Sequence, residues 1–75
     1  MTTPTTTVEE VTSLTKIVIE QARRHQADGE TEKQSDCMFL YEELAWVHFL
    51  LIWNRNEEIT DEHMEHIKTA RQMLH

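Results

Sequence analysis

The stretch 37–53, CMFLYEELAWVHFLLIW, limits what this chain can fold into more than any other. Fourteen of its seventeen residues are apolar or aromatic, and only Glu42, Glu43 and His48 interrupt it. It holds both Trp, both Phe and the only Tyr. The chain as a whole is polar, with a mean hydropathy of −0.59, so this stretch must be core, interface or both. As a membrane span it is slightly shorter than the ~20 residues required, and its ionisable residues sit in its middle.

Helical periodicity surrounds the run on both sides. Thr7-Val8-Glu9-Glu10 has the pattern of a capping box, in which the Thr hydroxyl and the Glu carboxylate satisfy each other's backbone N–H groups. Val8, Val11, Leu14, Ile17, Val18 and Ala22 then recur on one face and predict an amphipathic helix over 8–27. Arg23, Arg24 and His25 complement the dipole at its end, and Gly29, the only Gly, suits the left-handed stop beyond it. Thr31 to Gln34 offer a second capping box, with Ser35 and Asp36 as later alternatives, and the second helix is expected over 32–54. Thr60 is a good N-cap for a third helix over 60–74, with Asp61 and Glu62 in its first turn. Ile59 and Met64 are spaced as a hydrophobic staple, and Ile67, Ala70, Met73 and Leu74 continue the stripe. The expected fold is all-α: a tail over 1–6, then one three-helix domain over 7–75.

On a helical wheel with Cys37 at zero, Leu40, Leu44, Val47 and Leu51 fall at roughly 280° to 340°, an aliphatic face. Met38, Tyr41, Ala45, Phe49 and Ile52 form a second apolar face at roughly 40° to 120°, with His48 between the two. Phe39, Trp46, Leu50 and Trp53 occupy roughly 160° to 220°, bracketed by Glu42 and Glu43. A helix apolar on every side is normally buried on every side. Two single-stripe helices cover two faces and leave the third. A homodimer built around the central helix resolves this. It also stabilises a short chain, which buries only about 60% of its unfolded surface.

One Cys excludes an internal disulfide and fits a reducing compartment. Fourteen Asp and Glu against seven Lys and Arg give a net charge of −7, which disfavours direct binding to nucleic acid. An acidic surface suits a basic partner or simply solubility. Residues 1–7 have neither the positive charge nor the apolar segment of a secretory signal, so a cytoplasmic protein is expected, without membrane partners.

Chemistry finds little support in these residues. His63 and His66 lie one turn apart beside Glu62 and Glu65, but the HExxH and ExxH patterns of metal sites are absent. No metal or cofactor is expected, unless two half-sites pair across a dimer. Cys37 would be an activated thiol only if it opened a helix. Glu42 with Glu43, and Glu57 with Glu58, are adjacent and diverge on a helix. One Gly permits no phosphate loop, and no enzyme activity is expected.

In size, acidity and plainness the chain resembles the small accessory proteins encoded by phages and other mobile elements, a likeness of type that carries over no residue. It points to a non-enzymatic regulator or inhibitor that occupies a surface of a host protein such as a transcription regulator. Phe39, Glu42, Glu43, Trp46, Leu50, Trp53 and Arg55 are the expected partner-binding residues. Leu40, Tyr41, Leu44, Val47, Phe49, Leu51 and Ile52 are assigned to core or dimer. Aromatic residues at helical spacing serve packing more often than recognition. Two other readings stay open. One is an acidic mimic of DNA built from Glu57, Glu58, Asp61, Glu62 and Glu65 with Asp28, Glu30, Glu32 and Asp36. The other is a structural subunit of a larger complex.

Overall fold

The computed structural model describes residues 6–73. Three helices run in sequence: α1 (Val8–Ala27), α2 (Thr31–Ile52) and α3 (Asp61–Gln72), with one 3₁₀ turn (Asn56–Glu58) between the last two. Among the described residues there is no strand. The expected three-helix, all-α architecture is the one observed. Residues 1–5 of the expected tail, and residue 74 of the expected third helix, lie outside the described residues.

The helix ends show how local sequence sets each element. At the start of α1, the Glu10 N–H donates to the Thr7 hydroxyl at 3.1 Å. The expected return half of that capping box does not form. The Glu10 carboxylate instead accepts from Thr6 at 2.6 Å and from Arg71 of α3, through Nε at 3.0 Å and Nη2 at 2.7 Å. A fork-shaped cation outcompetes a neutral backbone N–H for a carboxylate. Burial opposes ionisation here, but the Arg71 and then the Thr6 hydrogen bonds outweigh it and hold the Glu10 carboxyl below the usual range.

The first turn is tighter than expected. Gly29, at φ +74°, donates to the Gln26 carbonyl, and Glu30 donates to the carbonyl of His25. Those two bonds close α1 in the manner that favours Gly. The chain re-enters a helix at once, so Thr31 is already helical and Glu30 is the N-cap, without a side-chain cap. The expected Thr31 capping box is therefore absent.

The same stop recurs at the end of α2. Asn54 takes the left-handed conformation at φ +58° and donates to the Leu51 carbonyl, while Arg55 donates to Leu50 at 2.8 Å. Asn is among the few non-Gly residues that tolerate this geometry. Helix α2 thus ends at Ile52, two residues before the expected position. At α3 the Thr60 cap is found, completed by a residue that the Glu/Gln signature does not include. The His63 N–H donates to the Thr60 hydroxyl at 3.3 Å, and the Thr60 N–H donates to His63 Nδ1 at 3.0 Å.

Val11, Leu14, Val18 and Ala22 of α1 and Ile67 and Ala70 of α3 enclose the aliphatic face of α2: Cys37, Leu40, Leu44 and Val47. Tyr41, Leu51, Ile59, Met64 and Met73 pack around this core, half-buried. The two flanking helices were expected to cover one face each. Instead they share one. Helix α3 has twelve residues and buries only two of them, so it wedges beside α1 rather than covering a second side of α2.

Candidate functional site

What the core leaves over is a broad apolar strip along α2. Phe39, Trp46, Phe49, Ile52 and Trp53 keep between 46% and 55% of their surface exposed, and Met38 keeps 37%. On the wheel they fill one arc from roughly 60° to 200°. The second apolar face and the aromatic row are thus one continuous surface. Within that arc only Glu42 is charged, and no Lys or Arg falls in it.

Local packing orders the strip. The Phe49 and Trp53 rings stack at 5.4 Å with 25° between their planes. They sit at i, i+4, where helical side chains meet. His48 meets Phe49 edge-on at 6.1 Å. Beside Phe49 a shallow groove opens between α1 and α2, lined by Thr12, Thr15, Tyr41, Ala45, His48 and Phe49. At the opposite edge Phe39 stands edge-on to His66 of α3 at 5.6 Å. Glu43 lies on that edge too, 4.0 Å from His66 Nε2. Arg55, just past the end of α2, is exposed and pairs with Glu58 at 3.2 Å.

Six of the seven residues expected to bind a partner, Phe39, Glu42, Glu43, Trp46, Trp53 and Arg55, fall on the strip or its margin. Leu50 does not. It is fully buried, because the chain turns back on the end of α2 at this level and the 3₁₀ turn packs there. Of the residues assigned to core or dimer, Leu40, Leu44 and Val47 are buried, and Tyr41 and Leu51 are half-buried. Phe49 and Ile52 are exposed and belong to the strip, as does Met38, which the sequence reading left out of the partner-binding set. Its position between Phe49 and Ala45 on the wheel is the signal that finds it.

The groups with chemical potential are occupied or separated. Cys37 is buried inside α2, and burial, then the charge of Asp36, raises its thiol above the ordinary value. His63 Nδ1 is engaged at the α3 cap. Among the described residues, no three His, Cys, Asp or Glu side chains come together as metal ligands. The two acidic clusters approach each other only in part: Glu65 adjoins His66, whose ring meets Phe39 one turn from Asp36, while Glu57 and Glu58 lie beyond the C-terminal end of α2. Among the described residues no helix is long and apolar enough to cross a membrane.

Comparisons with protein-family models, with curated proteins and with solved structures gave no match.

Proposed function

We propose that this chain is a non-enzymatic protein-binding regulator, and that the exposed face of α2 is its docking surface. The observation that carries the reading is that strip. Four aromatic side chains, each about half exposed, line one face of α2 and its C-cap with a single carboxylate among them. Interface centres are depleted in charge and enriched in aromatic residues and Met, while their rims are polar. Trp46 and Trp53 have the residue type, the position and the exposure of binding hot spots. Glu43 and Arg55 stand at the margin, where charge sets orientation and discrimination.

Extent supports the same conclusion. Fully buried aromatic side chains account for about 150–250 Å² each, so four that are half exposed present roughly 400 Å². Met38 and Ile52 bring the strip to roughly 600 Å², at the upper end of what monomers leave uncovered. In this reading the protein is a small cytoplasmic inhibitor or regulator of the phage-encoded kind. It acts by covering a functional surface on a host protein such as a transcription regulator. The DNA-mimic alternative gains no support from an open face of aromatic and aliphatic side chains with one carboxylate among them.

Site-specific photo-cross-linking tests the reading. A benzophenone side chain placed at Trp46 or Phe39 in cells should yield discrete protein adducts that excess wild-type chain suppresses. The same group at Glu20, on the exposed side of α1, should yield none. Equal labelling from all three positions, or no adduct from the strip, contradicts it.

A further inference from the structure

We infer that the occupant of the α2 face is a second copy of this chain, seated antiparallel so that Glu42 of each copy pairs with Arg55 of the other. The inference rests on the reading of that face as a protein-docking surface, and assigns most of it to a second copy while the end at Met38 and Phe39 stays open to the host protein.

Charge makes the first selection. The strip contains no cation and one carboxylate, although the chain carries fourteen acids. A basic partner would find its counter-charges elsewhere, around Asp28 to Asp36 or Glu57 to Glu65. The strip itself calls for an apolar surface with one cation, placed to meet Glu42. This chain supplies both. Arg55 follows the strip directly, and its backbone is tied down by the 2.8 Å bond to Leu50 that closes α2. Its bond to Glu58 is an exposed pair of little strength, so the guanidinium is free to bridge two carboxylates.

Direction follows from the same two residues. A parallel pairing sets Glu42 beside Glu42 and Arg55 beside Arg55. An antiparallel two-fold sets each acid against a cation, twice, and opposes the helix dipoles favourably. With Glu42 level with Arg55, which lies just beyond the last helical residue, the two-fold axis passes near Phe49 and Ala45 comes close to Ile52 of the second copy. Ala45 is the smallest side chain lining the groove between α1 and α2. The groove there has room for the branched side chain of Ile52, and the Phe49 rings of the two copies meet near the axis with the Trp53 rings to either side. Phe39 and Met38 extend past the end of the second copy's α2, which leaves that end of the strip for a further protein.

Area supports the pairing. Stable interfaces bury about 800 Å² per partner, of which Trp46, Phe49, Ile52 and Trp53 supply roughly 400 Å². Glu42, Ala45, Tyr41 and Arg55 add to it.

Sedimentation of the full chain and its charge-swap variants tests the inference. The wild-type protein should sediment at twice its 8.9 kDa at micromolar concentration and above. Glu42→Arg and Arg55→Glu should each weaken the dimer about tenfold, and the double swap should return it to within about threefold of wild type. These positions are outside the core, and unchanged far-UV spectra verify the fold. A dimer that the double swap weakens further than either single swap overturns the antiparallel seating. A wild-type chain that stays at 8.9 kDa overturns the second copy as occupant. In that event a Trp46 cross-linked adduct of another mass leaves the docking face standing with a foreign partner, and absence of any adduct removes both.

Discussion

Glu10 and Arg71 join the first turn of α1 to the last turn of α3, and no local pattern foretells this. Sixty-one positions separate them. The Thr-x-x-Glu signature is legible, but what the Glu carboxylate prefers depends on a cation delivered by the fold. His63 is the converse case: it does the work of Glu in a capping box, and only its geometry shows this. Asn54 stands at the expected end of α2, but its left-handed conformation was not legible, since that φ is a minority state for any non-Gly residue. The Glu10 contact makes a pH prediction. Its carboxyl lies lower in the folded chain than its ordinary value of 4.5. The contact therefore contributes fully above that value and is lost as pH falls through the folded one. Both side chains are about one-third exposed, so solvent screening limits the contribution to about 1 kcal/mol. Glu10→Gln should lower stability to urea at neutral pH by about that amount and flatten its acid limb. Equal losses at neutral pH and well below pH 4 would show that the ionised pair is not the source.

Helix α2 is the element on which sequence and structure inform each other most. Its existence, its ends to within two residues and its aliphatic face were all legible, because 3.6-residue periodicity survives tertiary context. The division of its remaining surface was not. A wheel gives angles, whereas coverage depends on the length and tilt of α1 and α3, which share one face. Leu50 shows the limit most clearly. By angle it belongs with Trp46, but the chain turning back at Arg55 buries it. The two residues should consequently respond in opposite ways. Leu50→Ala removes a fully buried side chain and should cost about 2–5 kcal/mol, enough to unfold much of so small a domain. Trp46→Ala, measured at low concentration, should cost less than about 1 kcal/mol and keep the helical far-UV spectrum. Chemical denaturation of both variants checks the contrast. A Trp46→Ala variant that unfolds when dilute would place that indole in the core of the single chain.

The whole molecule is an unequal partition of one apolar helix. Among the described residues eleven hydrophobic side chains form the buried set, while the strip, roughly 600 Å² of a 5292 Å² surface, remains open. Short chains without disulfides commonly complete such a core by association. Both tryptophans, Trp46 and Trp53, lie on the open face, so indole emission reports on that face and on nothing else in the molecule. The decisive measurement is acrylamide quenching of this emission in the species that sediments at 8.9 kDa, whether dilute wild type or the Glu42→Arg variant. An open α2 face predicts that both indoles are readily quenched in that species and become protected as the chain associates. Indoles already shielded from quencher in a folded 8.9 kDa chain would contradict it, since the strip would then be closed by the chain's own helices.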